Sequence, residues 1–381
     1  MSRNGNLTEK ELEHIKTFRY KTNGLTPLEI HVYEPFWNFL ANKCLPDWLA
    51  PNALTLLGAV VPLASLATIC SLDCSFSEKL PCWVWLLSWF AQFWYQTIDA
   101  IDGKQARRTN NCSPLGQILD HNLDQVTLTC IMVSACSMLQ VGDDCWKIIL
   151  LTPGLLSAHY SIEYRTHFTK MHQTVVAMMG ATEQILLVQA FTLLSFFIST
   201  DYLSQEVTVP VVEARIKIED LAVMFAFSSG FFYNTMNIGV AFFEAKEPGY
   251  ALGCMVPYAQ FLAMMFYSSY SQLYKDYCAL FVVLCGFYLT WVTAIFNLNS
   301  TANAKFNWVF FEPCFYLAFV YCDHLRIFDR NLASLAYVSF FCVTLVRYLV
   351  LMTNIVNQIT AFMGLRFLKV KPVAAKPTKN E

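Results

Sequence analysis

The stretch Cys82–Asp124, CWVWLLSWFAQFWYQTIDAIDGKQARRTNNCSPLGQILDHNLD, joins an apolar, aromatic run to four aspartates and a histidine. Cys82 to Ile98 reads as a membrane span, since a bilayer core is crossed by about 20 apolar residues in a helix. Directly after it, Asp99 and Asp102 stand three positions apart, and further on Asp120 and Asp124 stand four apart. On helices the members of each pair share a face, one turn or about 5 to 6 Å from each other. Gly116 continues the second face by one more turn, and a residue without a side chain there lets a backbone or a flat ligand approach. Two helix ends thus present four carboxylates to one point.

Such a cluster needs cations. Like charges about 5 Å apart repel by roughly 3 kcal/mol per pair at an effective dielectric near 20. All-carboxylate ligation suits hard divalent ions, Mg²⁺ first and Mn²⁺ after it, held by a few carboxylates plus substrate phosphate oxygens. Four carboxylates accommodate two ions about 3.5 to 4 Å apart, an arrangement suited to displacement at phosphorus. A lone Asp at a span end is commonly a helix cap, and Lys104, Arg107 and Arg108 serve equally as topogenic charges. Four acids on two faces around Gly103 and Arg107, in a chain where buried charge is costly, instead ask for a shared ligand.

Working outward, the 381 residues are 56% hydrophobic, 15% aromatic and only 14% charged, with a mean hydropathy of +0.41. This composition belongs to an integral membrane protein. A formal net charge of -2 gives no ground for a nucleic-acid partner. Most of the 14 cysteines lie in apolar runs, where they pack as small hydrophobes, and none is spaced as a zinc-type pair. The predicted fold is all-α and polytopic, with about ten spans: 53–72, 82–98, 116–140, 146–164, 174–199, 221–243, 250–268, 277–296, 306–322 and 332–352. The first span lies behind a long polar segment, so it is expected to serve as targeting signal in place of a cleaved leader. The stretch from Pro35–Leu40 to Trp48–Asn52 reads as an interfacial amphipathic helix or, equally, as an ordinary amphipathic helix packed on the loops.

Lys104, Arg107 and Arg108 after span two, Arg165 and Lys170 after span four, and Lys369, Lys371, Lys376 and Lys379 after the last belong on one side if the count is even. So does the basic N-terminus (Arg3, Lys10, Lys16, Arg19, Lys21). That side should be cytosolic. The opposite loops carry Asp73, Asp143, Asp144, Glu206, Glu213, Glu219 and Asp220. The sequons at Asn6 and Asn299 then face the cytosol and stay unmodified. The expected layout is a cytosolic segment 1–52, a transmembrane catalytic domain 53–363 with its core at about 53–240, and a basic tail 364–381.

The pattern Asp99-x2-Asp102-Gly103-x2-Ala106-Arg107-x8-Gly116-x3-Asp120-x3-Asp124 resembles the signature of the CDP-alcohol phosphotransferase family. Pro46–Asn52, Gly103–Asn110, Arg347-Tyr348 and Asn357–Ile359 are similar to its eukaryotic choline/ethanolaminephosphotransferase branch, firmly to about residue 130 and loosely beyond. The resemblance implies transfer of phosphocholine or phosphoethanolamine from CDP-choline or CDP-ethanolamine to diacylglycerol, with release of CMP. It implies Asp99, Asp102, Asp120 and Asp124 as ligands of two Mg²⁺ or Mn²⁺ ions. It also implies Arg107, Asn52, Gly103, Ala106 and Gly116 as donor-binding positions, and His121 as general base. The expected setting is the endoplasmic reticulum or Golgi membrane, with the site facing the cytosol and a homodimer as an open expectation.

Independently of the resemblance, an imidazole titrating near neutrality is suited to take the proton of an attacking hydroxyl, with Asp124 as runner-up. His159, His167, His172 and His14 read as surface groups. Glu183 reads as a head-group ligand or the partner of a buried cation, and Glu312 as a residue beside a kink. The branch usually has Gly-Cys-Asp-Ser or Gly-Leu-Asp-Ser after the Asp-His pair, where this chain has Asn122-Leu123-Asp124-Gln125, and Gln117 replaces a common Glu. These departures bear on head-group preference and turnover. A cation transporter using the aspartates accounts for the acids but not for Gly103, Ala106 and Arg107, and basic residues beside its pathway would oppose it. Family members with other alcohols or acceptors are usually shorter.

Overall fold

The computed structural model describes residues 5–19, 21–22, 24–173, 175, 180–209 and 214–370. Arg3, Glu213, Lys371, Lys376 and Lys379, named above, lie outside them, as does most of the basic tail. Helices dominate: α1 (Glu9–Thr17), α2 (Glu34–Phe39), α3 (Pro51–Leu72), α4 (Cys82–Arg108), α5 (Pro114–Met138), α6 (Cys145–Leu155), α7 (Ser157–Thr169), α8 (Ala181–Ile198), α9 (Ile218–Glu244), α10 (Pro248–Cys254), α11 (Val256–Ser268), α12 (Cys278–Thr301), α13 (Glu312–His324) and α14 (Arg330–Met363). Among the described residues, five stretches are long and apolar enough to cross a membrane: α3, α8, α10 with α11, α12 and α14.

Local chemistry sets the boundaries that matter. Pro51 opens α3 at a position where a missing N–H costs nothing. Ser113 caps α5 by accepting the Gly116 N–H at 3.1 Å, with Pro114 next in line. α14 starts on Asp329, which accepts the Leu332 N–H at 2.7 Å, and stops at Gly364 with φ +63°.

The expected span 146–164 is two helices. Pro153 lacks the N–H that would continue the ladder, and the chain breaks at Leu156 between α6 and α7. Gln125 donates to the Leu156 carbonyl at 3.2 Å and Asn234 to the Pro153 carbonyl at 2.8 Å, so the break is satisfied inside the protein. Beside it α6 and α9 cross so closely that a Cβ on Gly230 would come within 2.1 Å of the Gly154 Cα. The span expected at 250–268 is likewise divided at Met255.

At the N-terminus the chain is helical from Pro27 to Cys44, including π-helical turns at Glu29–Tyr33 and Leu40–Cys44. It therefore starts earlier than the expected interfacial helix and does not include Trp48–Asn52 in one run. The polar connection 201–220 contains two antiparallel strands, β1 (Glu206–Val209) and β2 (Ala214–Lys217), with Glu206 opposite Lys217. The structure is thus nearly, not wholly, helical.

The core runs along α12, which is buried over almost its whole length and packs on α5, α7 and α14. α3 packs against both α4 and α5, and this trio holds the aspartates. Asn299 is buried within α12 and donates to the Ile295 carbonyl, which takes its sequon out of reach of glycosylation.

Candidate active site

A short loop, Thr109–Ser113, separates α4 from α5, and both helices bury one face against α3, so their acidic turns come to one place. One carboxylate oxygen from each of Asp99, Asp120 and Asp124 lies within 4.8 Å of the other two. Asp102, one turn along α4, is buried, accepts the Thr55 hydroxyl, and lies within electrostatic reach of Asp99, Asp120 and Arg107. Tyr95 donates to Asp124 Oδ1 at 2.8 Å and fixes that carboxylate from the α4 side. The nearby cations are spent elsewhere: Lys104 pairs with Glu34 at 2.7 Å, and Arg108 reaches Asp47 at 3.2 Å and the Leu45 carbonyl at 2.6 Å. Among the described residues, no lysine or arginine lies within ion-pair distance of the four aspartates. This all-oxygen, anionic set, with no ion-paired lysine or arginine among the described residues, fits a hard divalent cation.

Asp99, Asp120 and Asp124 line a cavity of about 360 Å³, together with Arg107 and His121. Arg107 is exposed at its rim, and Gly103 leaves room for the guanidinium, whose Nη1 lies 3.6 Å from where a Gly103 Cβ would sit. Ala106 is half-buried on the same helix. Asn52 and Gly116 stand apart from the cavity wall. Asn52 Oδ1 lies 3.2 Å from where a Gly116 Cβ would sit, and Asn52 Nδ2 donates to the Phe367 carbonyl at 2.9 Å. The structure therefore brings together the aspartates, Arg107 and His121, and places Asn52, with Gly116 beside it, in a neighbouring cleft under the C-terminal segment.

His121 is held by residues that the sequence reading left without a role. Its Nδ1 lies 2.7 Å from Glu163 Oε1, and Asn297 donates to Glu163 Oε2 at 3.0 Å. A proton on Nδ1 shared with the carboxylate places the imidazole lone pair on Nε2. The His172 ring lies 4.4 Å from the His121 ring, centre to centre, with its Nδ1 3.7 Å from Glu163 Oε1. His121, Glu163 and His172 are close enough to hold an ion, but Glu163 is already engaged by His121 and Asn297, which makes it an orienting group.

His159, His167 and His172 are buried, not surface groups. α7 continues past the expected end of its span, and the Lys21–Thr22 segment pairs alongside His172, whose N–H donates to the Lys21 carbonyl at 2.9 Å. The i, i+4 spacing of His159, Glu163 and His167 was the available signal. Glu183 forms no ion pair among the described residues and is engaged locally. It accepts the Gly180 N–H at 2.8 Å and the Thr26 hydroxyl, a cap for α8. Glu312 pairs with Arg347, whose guanidinium lies 5.4 Å from the Trp291 ring centre. Asn122 donates to the Ile118 carbonyl at 2.5 Å and so turns back on its own helix.

A second chamber of about 320 Å³, almost wholly apolar, lies between α5, α6, α8 and α9. It shares Gly154, Leu155, Gln184 and Val188 with the polar cavity, so the two adjoin across these residues.

The profile of the CDP-alcohol phosphatidyltransferase family matches residues 48–243, a range containing every aspartate of the cluster as well as His121 and Glu163. The chain is 30% identical to cholinephosphotransferase 1 of Homo sapiens over 295 residues, covering 74% of this chain and 70% of that relative. It is 36% identical to cholinephosphotransferase 1 of Gallus gallus over 193 residues, 49% of this chain and 56% of the relative. To cholinephosphotransferase 1 of Saccharomyces cerevisiae it is 34% identical over 163 residues, 42% of this chain and 41% of the relative. An anionic oxygen cluster beside an oriented imidazole, within a match of that extent, makes this chain a member of the CDP-alcohol phosphatidyltransferases, an enzyme family.

Proposed function

We propose that this enzyme transfers phosphocholine or phosphoethanolamine from the corresponding CDP-linked donor to diacylglycerol, releasing CMP. The observation that carries the reading is the apolar chamber lying directly against the anionic, His-bearing cavity, with four residues lining both, since the reaction joins a water-soluble nucleotide to a bilayer-dissolved alcohol. Asp99, Asp120 and Asp124, with Asp102 behind them, would hold two divalent ions, Mg²⁺ or Mn²⁺. When bound, such ions neutralise the pyrophosphate and the charge that develops on the leaving phosphate. Arg107 at the rim contacts phosphate oxygens in the fork geometry that a lysine lacks.

His121 acts as general base. As the acceptor hydroxyl oxygen bonds to the β-phosphorus of the donor, its proton passes to Nε2, and the bond from phosphorus to the CMP oxygen breaks. Glu163 holds the ring in the tautomer that keeps Nε2 basic, and Asn297 holds Glu163.

In the bilayer we read ten crossings: α3, α4, α5, α6 with α7, α8, α9, α10 with α11, α12, α13 and α14. α13 is the short one, since 13 residues span only about 20 Å of a hydrocarbon core about 30 Å thick. The basic end of α4 lies at the cavity rim, which supports a donor entrance on the cytosolic face; an endoplasmic reticulum or Golgi membrane is the setting we propose for it.

The deciding experiment is turnover by purified protein with each CDP-base and diacylglycerol, with and without Mg²⁺. Metal-dependent CMP release matched by new phospholipid is expected. Ion flux through liposomes without nucleotide, and no CMP release, would replace the reading with a transporter.

A further inference from the structure

The helical stretch 27–44 contributes one wall of the polar cavity through Glu29, Glu34 and Trp37. In a regular α-helix, residues five apart point well away from each other. The π-helical turn Glu29–Tyr33 winds the backbone more loosely, which brings Glu34 round toward the face that carries Glu29. Trp37 follows Glu34 by three positions in α2 and shares that face.

The two glutamates differ in their partners. Glu34 is neutralised by Lys104, at 2.7 and 2.8 Å. Glu29 is held by neutral donors: the Thr26 N–H to Oε2 at 2.7 Å and the Thr182 hydroxyl to Oε1 at 2.5 Å. No lysine or arginine lies within ion-pair distance of Glu29 among the described residues. Its carboxylate is thus fixed from two sides without an ion-paired partner among the described residues, and it lines the same cavity as the nearly buried indole of Trp37, which stacks on Tyr33 with ring centres 5.0 Å apart. A lone carboxylate is too few ligands for a divalent ion. A carboxylate beside an aromatic face is the chemistry that receives an alkylammonium group.

We infer that Glu29 and Trp37 bind the cationic head group of the donor and make Glu29 a specificity-determining residue. The inference rests on the cavity being the donor site, as proposed above. Glu29 supplies the charge for either an ammonium or a trimethylammonium group, and the Trp37 face suits the methyl groups of the latter.

The test compares CDP-choline with CDP-3,3-dimethylbutanol, which has the same shape without the charge, as donors for the full-length protein in detergent. Wild type should use the charged donor with a KM roughly tenfold lower than the neutral one. Glu29→Gln should raise the KM for CDP-choline by about that factor, leave the neutral donor unchanged, and leave kcat within about twofold. Trp37→Leu should raise the KM for CDP-choline more than that for CDP-ethanolamine. Equal losses on both donors in Glu29→Gln, or an unchanged ratio, would overturn the inference and leave Glu29 a fastener of the helical stretch. Failure of wild type to transfer from any CDP-alcohol would instead remove the donor-site reading, and the inference with it.

Discussion

Two groups of three carboxylates sit in this protein, and they are built differently. Around Lys147, Asp144, Glu219 and Asp220 each place an oxygen 2.9 Å from one buried Nζ, and Lys217 approaches Glu219 at 3.4 Å. That group ties the start of α6 to the start of α9 and carries its own cation. Asp99, Asp120 and Asp124 converge as tightly, but the chain directs Lys104 and Arg108 to other partners. A third case, Asp323, is fully buried and accepts from Ser271 at 2.5 Å, Gln272 at 2.6 Å and Tyr337 at 2.8 Å, all neutral donors. Carboxylates satisfied within the chain hold helices together. Carboxylates left unbalanced in a cavity mark where a cation from outside belongs.

The sharpest break of that contrast is substitution in the unbalanced group. Asp99→Ala, Asp120→Ala or Asp124→Ala should lower turnover by at least about a thousandfold, and excess Mg²⁺ should not restore it. Folding should not suffer, because removing one of several like charges relieves repulsion. Mg²⁺ should raise the thermal midpoint of wild type in detergent and leave that of Asp120→Ala where it was. Full activity in any of the three variants, or an equal Mg²⁺ shift in both proteins, removes the metal-binding reading.

His121→Ala should lower kcat by about a hundredfold while CDP-donor affinity, measured by calorimetry, stays within about twofold. Glu163→Gln should have a smaller effect of the same kind, about tenfold, since the ring loses its orienting partner and not its nitrogen. Lost donor binding with intact chemistry would count against the base assignment.

Lys147→Met gives the opposite pattern. It leaves Asp144 and Asp220 without a cation and Glu219 with only the more distant Lys217, and should lower stability by on the order of 3 kcal/mol, seen as a reduced thermal midpoint. Turnover per folded molecule should be unchanged. A loss of turnover at full stability would mean that this group, too, belongs to the site.

The aspartates and His121 were legible in the sequence because their geometry is local: spacings of three and four residues encode a shared helical face before any packing is known. The support of His121 was not. Glu163 lies 42 positions away and Asn297 176 positions away, and only the packing of α5 against α7 and α12 brings them together. Hydropathy also misplaced boundaries where polarity and helicity part. α14 runs on to Met363, past the expected end at 352, because Asn354, Asn357 and Gln358 continue a helix, and Gln358 there donates to the Gly5 carbonyl at 2.8 Å. The strands at 206–209 and 214–217 carried a period-two signal, Glu-Val-Thr-Val and Ala-Arg-Ile-Lys, that a reading tuned to spans passed over.

The smallest expected effect concerns the wall shared by the polar cavity and the apolar chamber. If acyl chains occupy the chamber, narrowing it penalises long chains and leaves the chemistry alone. Leu187 lines the chamber without lining the polar cavity, so Leu187→Trp adds bulk remote from the aspartates. The KM for a long-chain diacylglycerol should rise severalfold, by roughly 1 kcal/mol of lost apolar contact, while a short-chain diacylglycerol and the KM for the CDP-donor stay unchanged. Equal effects on long and short chains would place the acyl groups elsewhere and reduce the chamber to a packing defect between α8 and α9. A chain-length-dependent effect would extend the contrast that separates the two acidic groups: the unbalanced carboxylates face the charged end of the reaction, and the unfilled apolar volume faces the lipid end.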